Sequence, residues 1–229
     1  MAAVLPALGA RVKGDRLLIN RGHRRAARQA LELLLPAISQ AERRFIITIA
    51  GESGSGKSEI AASLARQLAR RGIGSLIIQQ DDYFVYPPKT NEAMRRRDIN
   101  HVGLSEVRLD RLDEDLKAAR DGADSLVKPL VIFDDDTITT ETLDLRGKKV
   151  IIVEGTYTTT LRHVDRRIFI ARDYNDTRRT RLRRAREAQD EFLEQVLQIE
   201  HGLIAPHRAR ADIIITRDYQ AQPNPEKTA

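Results

Sequence analysis

The 229-residue chain is predicted to be an α/β protein built on a central parallel sheet. Three observations point there. FIITIA, KVIIV and RIFIA (45–50, 149–153 and 167–171) are continuous apolar runs rich in β-branched residues, as strands covered on both faces require. Segments of helical period alternate with such runs along the chain. Directly after the first run comes GESGSGKSE, a glycine-rich loop placed between a strand and an amphipathic helix.

The elements follow in order. ARVKGDRLLIN suggests a hairpin around Gly14-Asp15, and residues 24–40 have helical composition broken by Pro36. Residues 44–50 form the first buried strand. Ile60, Leu64 and Leu68 fall at helical spacing within 57–71, and Gly72 stops that helix. Residues 75–79 are the second strand. From Asp82 to Asn100 the pattern is irregular, with Pro87-Pro88 and three consecutive arginines, and long loops are commonly functional. A helix over 105–120, capped by Ser105, carries Val107, Leu109, Leu112 and Leu116. LVKPLVIFDDDTITTETLDL suggests two further strands, and ADIIIT (211–216) closes the series. Residues 175–202 read as one helix with an arginine-rich first half. QAQPNPEKTA has the composition of a flexible tail. The expected organisation is an N-terminal hairpin and helix extension over 1–41, one domain over 42–218, and a tail over 219–229.

Composition narrows the classes. Hydrophobic residues at 41% and charged residues at 31% are those of an ordinary globular chain. Cysteine is absent, which excludes disulfides, thiolate nucleophiles and thiolate metal sites, and suits a cytoplasmic setting. No apolar run approaches the roughly 20 residues that cross a bilayer, so no membrane partner is expected. The apolar AVLPALGA lacks a preceding basic residue and reads as an ordered or frayed leader. A formal net charge of +6 favours anionic partners.

Gly51, Gly56, Lys57 and Ser58 satisfy G-x-x-x-x-G-K-[ST]. Across Gly51, Glu52, Ser53, Gly54, Ser55, Gly56, Lys57, Ser58 and Glu59, backbone N–H groups can wrap a polyphosphate without Cβ clashes. The helix that begins near Lys57 aims its positive end at the same anion. Lys57 would reach the β- and γ-phosphates and the Ser58 hydroxyl would coordinate Mg²⁺, so ATP and Mg²⁺ are the expected cofactors. Transporter ATPases share this loop. They also carry an LSGGQ-type signature and a strand ending in Asp-Glu, and this chain has neither.

In an open parallel sheet, ligands sit beyond the carboxyl ends of strands. The second strand runs into Asp81 and Asp82, so Asp81 arrives at the phosphate-loop edge. It could take the proton of an acceptor hydroxyl. Equally, either aspartate could cap a turn or hold Mg²⁺ through water.

IIQQDDYF resembles the segment after strand two in the uridine kinase and phosphoribulokinase family, which includes nicotinamide riboside kinases. Residues 99–122 resemble a divergent form of the family's Asn-Phe-Asp-His-Pro segment and following helix. VKPLVIFDDDTIT resembles its antiparallel segment, VIIVEGTY its strand ending in Glu-Gly, RLRRAR its arginine lid and ADIIIT its closing strand. The similarity runs from about residue 45 to 216. It implies a P-loop NTPase fold of nucleoside-kinase type with an antiparallel appendage and a helical lid. The implied activity is ATP-dependent phosphorylation of a small-molecule hydroxyl.

The resemblance makes Asp81 the catalytic base and gives Glu154 a part in organising Mg²⁺ with Ser58. Asp82, Tyr83, His101, Phe133 and Arg184 would line or contact the acceptor. Phe133 stands where family nucleoside kinases have Tyr, and no His follows. The acceptor is therefore left as a nucleoside, a sugar phosphate or another polyol. Arg179, Arg183 and Arg186 form one helical stripe, with Arg178, Arg181 and Arg184 largely opposite. They make either a solvated basic helix or a lid that brings guanidinium groups to the transferring phosphoryl, Arg183 and Arg186 foremost. No aromatic is interleaved with them to stack bases, so nucleic acid is not the expected partner. A homo-oligomer is left open, and a non-catalytic nucleotide-binding module is the rival from another class.

Overall fold

The computed structural model describes residues 17–184 and 190–227. The hairpin expected around Gly14-Asp15 lies outside them. Six strands form one sheet in the order β2-β5-β1-β6-β7-β8: β1 (Phe45–Ala50), β2 (Ser75–Gln79), β5 (Val150–Glu154), β6 (Arg166–Ile170), β7 (Ile213–Ile215) and β8 (Ala221–Pro223). All are parallel except β8, which runs antiparallel to β7. The predicted antiparallel appendage is a separate two-stranded ribbon of β3 (Ser125–Ile132) and β4 (Thr137–Asp144).

The continuous apolar strands are buried on both faces, as expected. Ile46, Ile78, Ile151, Val153 and Phe169 face a core closed by Leu112 and Leu116 of α4 (Leu109–Arg120). On the other face Ile47, Ile49, Ile152 and Ile168 pack with α1 (Arg21–Gln40) and α2 (Lys57–Arg70). Ala26, Ala30, Leu31 and Leu34 of α1 are fully buried there, so the N-terminal helix belongs to the same core as the sheet. α1 also runs on through Pro36 rather than breaking.

Other local expectations are corrected by tertiary contacts. The stretch expected to be irregular contains α3 (Pro88–Arg97). Pro88 opens it, and Asp136 of the β3–β4 turn caps it by accepting from the backbone N–H of Lys89 (2.7 Å) and Thr90 (3.1 Å). Ser105 does not cap α4. It sits in a 3-10 turn over Leu104–Glu106, held by the buried Glu106 carboxylate, which accepts from Gly103 N and Asn91 Nδ2. The single helix expected over 175–202 is instead α5 (Tyr174–Arg184) and α6 (Glu191–Ile204). Asp190 accepts from Leu193 N at 2.9 Å and starts α6 afresh. The tail is not featureless: β8 adds to the sheet edge, and Asn224, 1% exposed, donates to the carbonyls of Arg208 and Ala211.

Candidate active site

β1 reaches its carboxyl end at Gly51, with β5 on one side and β6 on the other. This is the switch point of the sheet, where the chain's crossovers diverge and leave a crevice. The loop that follows needs glycine where it turns most sharply. Gly56 has φ 102°, and a Cβ there would come within 3.0 Å of His23 Nε2 and Tyr219 Oη. Gly56 also precedes α2 without any side-chain cap, so the first N–H groups of α2 remain available to an anion. Lys57 folds back over the loop, its Nζ donating to Glu52 O at 3.1 Å.

At the end of β5, Glu154 lies in register with Ile49 of β1 and Gln79 of β2. Its Oε1 accepts from Ser58 Oγ at 2.9 Å and from Gln79 Nε2 at 3.3 Å. Burial first, and then the negative charge of Asp81, push the Glu154 carboxyl up to about 7, while Lys57 and the two donors pull it back. A hydroxyl and a carboxylate at this spacing are hard oxygen donors of the kind Mg²⁺ takes, with phosphate oxygens and water completing its shell.

Asp81 lies in the 3-10 turn over Gln80–Tyr83 and is exposed. Its two neighbours fix it. Gln80, 1% exposed, accepts from Tyr157 N at 2.7 Å and packs so closely on Gly155 that a Cβ there would sit 2.2 Å from its own. On the other side Asp82, 2% exposed, meets Lys128 Nζ at 2.5 Å and accepts from Val131 N at 3.1 Å. With both flanking side chains locked inward, Asp81 is left at the crevice, near enough to Glu154 for their charges to interact.

Asp82 and Tyr83, expected from the resemblance to contact an acceptor, are both buried. Asp82 anchors the β3–β4 ribbon through Lys128, which also pairs with Glu141 at 2.7 Å. Burial raises the Asp82 carboxyl, and the Lys128 ammonium pulls it back. Tyr83 is fully buried and donates to Asp115 Oδ2 at 2.8 Å. Removing one partner of a buried pair leaves the other charge stranded, at a cost of about 3–5 kcal/mol. Lys128→Met is therefore expected to lower the unfolding free energy by that much and to move the denaturant midpoint down accordingly; an unchanged midpoint would contradict the anchoring role.

The remaining sequence-predicted residues divide. His101 Nε2 lies 3.1 Å from Asn91 Oδ1 and its ring is 5.9 Å from that of Tyr86, on the α3 side of the crevice. Phe133 is half-buried in the β3–β4 turn beside Asp136. The Glu52 side chain turns to α6, where His201 Nδ1 donates to its Oε1 at 2.7 Å. Ser53 and Ser55 stay within the loop, with Ser55 N donating to Glu52 O. Glu59 is buried in the first turn of α2. Arg183 and Arg184 close α5, and Arg186 lies outside the described residues.

Sequence reasoning missed the supports. Arg181 is buried and donates to Tyr174 O and Thr177 Oγ1, with its stem against Gly54. On α6, adjacent residues reach two walls of the crevice: Glu200 pairs with Arg95 of α3 at 3.2 Å, and His201 holds Glu52 of the loop. Nothing in the local pattern marks the Glu200–Arg95 and His201–Glu52 pairs, whose members lie 105 and 149 residues apart.

Residues 46–221 match the Phosphoribulokinase / Uridine kinase family. The chain belongs to this family. Curated relatives include the bifunctional alpha-galactosidase/sucrose kinase AgaSK of Mediterraneibacter gnavus, 30% identical over 78% of this chain and 20% of the relative. The uridine kinase of Leuconostoc citreum is 27% identical over 75% of this chain and 86% of its own length. That of Yersinia pestis is 37% identical over 51% of this chain and 54% of its own. The chain thus spans a fifth of the first relative and about half of the third. Among solved structures, the "Possible Uridine Kinase" from Bacillus stearothermophilus has a TM-score of 0.58 at 19% identity, covering 82% of this chain and 97% of that one. Phosphoribulokinase from Rhodobacter spheroides has a TM-score of 0.58 at 14% identity, covering 77% and 71%. The structural likenesses establish the kinase fold, and the family match agrees with the predicted fold class. Among the described residues no helix is long and apolar enough to cross a membrane.

Proposed function

We propose that the protein transfers the γ-phosphoryl group of ATP to a hydroxyl of a small molecule in the cytoplasm, using Mg²⁺. The observation that carries this reading is the convergence of Asp81, Glu154, Ser58 and the uncapped start of α2 at one sheet edge. The loop over Gly51–Ser58 would hold the triphosphate through backbone N–H groups, with Lys57 swinging from Glu52 O onto the β- and γ-phosphates. Ser58 and Glu154 would hold Mg²⁺, which supplies charge neutralisation between the phosphates when bound. Asp81 would accept the proton of the acceptor hydroxyl as its oxygen attacks the γ-phosphorus. Arg183 and Arg186, at and just beyond the end of α5, would meet the charge on the transferring group.

The acceptor would lie between Asp81 and the α3 side, near His101 and Phe133. A nucleoside is the first expectation, given two uridine kinases among the relatives. A neutral sugar is the second, given a relative that includes a sucrose kinase. A screen of nucleosides, sugars, sugar phosphates and other polyols for acceptor-stimulated ADP release decides. Stimulation by none, with ATP bound, would favour a binding module over a kinase.

Glu154 also gives the metal-free protein a testable pH signature. Its folded pKa is raised, so the folded state holds a proton that the unfolded state gives up above about 4.5. Stability through this group therefore falls as pH rises from about 4.5 to 7, and the cost is full above that window. Glu154→Gln should melt higher than the parent at pH 8, with the gain shrinking toward pH 4.5. An equal gain at both pH values would show that Glu154 does not titrate as described.

A further inference from the structure

A cavity of 480 Å³ opens beside Gly54 and Gly56 of the phosphate loop and the first turn of α2. This volume is within the range of ordinary ligand sites, roughly 300–1,000 Å³. One wall is aromatic: Tyr219, whose hydroxyl donates to Ser55 O at 3.0 Å and is thereby tied to the loop itself. The Arg172 guanidinium lies 4.9 Å from the centre of the Tyr219 ring and also donates to its hydroxyl. The opposite wall is aliphatic, made by Leu17, Leu18 and Ile19. These three residues precede the segment that matches the family, which begins at residue 46.

The aliphatic wall is held in place. Asn20 caps α1, accepting from His23 N at 3.0 Å while its own N–H donates to His23 Nδ1. The His23 ring in turn stands edge-on to Tyr219, with centroids 4.6 Å apart. Because α1 is buried in the sheet core, its start cannot drift from the loop. A flat apolar ring with polar edges suits such a slot: aliphatic on one side, aromatic on the other, with a guanidinium at its rim.

We propose that residues 17–20 form the outer wall of the pocket that takes the base and ribose of the phosphate donor, so that this N-terminal segment sets donor affinity and nucleoside preference. The inference rests on the reading of Gly51–Ser58 as a triphosphate loop. A triphosphate wrapped by that loop must carry its nucleoside into adjoining space, and this cavity adjoins the loop at Gly54 and Gly56. Arg172 is then the polar contact at the slot's edge, and Leu17 and Ile19 supply contact area.

The test uses the full chain and equilibrium titrations with Mg²⁺ and three probes: ATP, GTP and inorganic tripolyphosphate. Two variants are compared with the parent: Leu17→Ala with Ile19→Ala, which thins the wall, and Ile19→Trp, which fills the slot. The expected result is an ATP affinity lower by about tenfold in both. The ratio of ATP to GTP affinity should move toward one, and tripolyphosphate binding should be unchanged. Unaltered ATP and GTP binding in both variants would overturn the inference. So would a parallel loss of tripolyphosphate binding, which would make the segment a support of the loop and not a wall of the slot. Failure of the underlying reading looks different: tripolyphosphate binding in the parent would be absent or indifferent to Lys57→Ala, and the inference would fall with it.

Discussion

Asp81→Asn should leave binding of ATP with Mg²⁺ near that of the parent and reduce acceptor phosphorylation by about 10²-fold or more, the range for a lost general base. The replacement keeps size and most hydrogen bonding but cannot take a proton. Geometry sharpens the contrast with its neighbour. Asp82 is buried against Lys128 and Val131 N. Asp82→Asn should therefore act on stability first, lowering the melting temperature while the rate per folded molecule stays close to the parent's. Rapid-quench measurement of product, normalised to folded protein, separates the two. A larger chemical defect in Asp82→Asn than in Asp81→Asn would reverse the assignment, and full activity in both would remove the carboxylate-base mechanism.

Lys57→Ala should weaken ATP binding by roughly ten- to hundredfold, the worth of a charge-assisted contact to phosphate, and turnover should fall further. The Lys57 ammonium donates to one loop carbonyl, Glu52 O, and its charge acts on the buried Glu154 carboxyl. Circular dichroism should stay close to the parent's, and so should the melting temperature near pH 4.5, where folded Glu154 keeps its proton. An ATP titration that matches the parent would sink the phosphate-loop reading. The variant has a second expected mark: Lys57 helps hold the Glu154 carboxyl down. Its loss should raise that carboxyl further, visible as a shift in the pH dependence of metal-free stability.

Much of this architecture was legible in the sequence because the governing signals are local. Strands buried on both faces are nearly all apolar, and Phe45–Ala50 and Val150–Glu154, buried at every position, depart from this only at Thr48 and the terminal Glu154. The loop at Gly51–Ser58 is specified by glycine conformation and by one lysine. What escaped was whatever depends on a distant partner. α3 begins under a carboxylate supplied by Asp136, 46 residues beyond Thr90. Asp82 looks in sequence like a twin of Asp81, and only its ion pair with Lys128 of β3 shows which of the two is sequestered. Tyr219 and Asn224 fall in a stretch whose composition suggests disorder. Their order comes from the loop at Ser55 and from the carbonyls before β7, which no window around them contains.

The short strand that closes the sheet has a bearing on how copies of the molecule behave together. A sheet edge is a row of unpaired N–H and C=O groups that invites another chain to pair. β7 is three isoleucines, Ile213–Ile215, apolar and β-branched, the kind of segment most prone to such pairing. β8 occupies that row in antiparallel sense and is itself only three residues long. It ends in Pro223, which lacks a backbone donor and so presents a poor template of its own. Ala221–Pro223 thus serves as a guard on the sheet. Without it the isoleucine row would stand open, and the cost would be counted in aggregation during folding, not in lost catalysis.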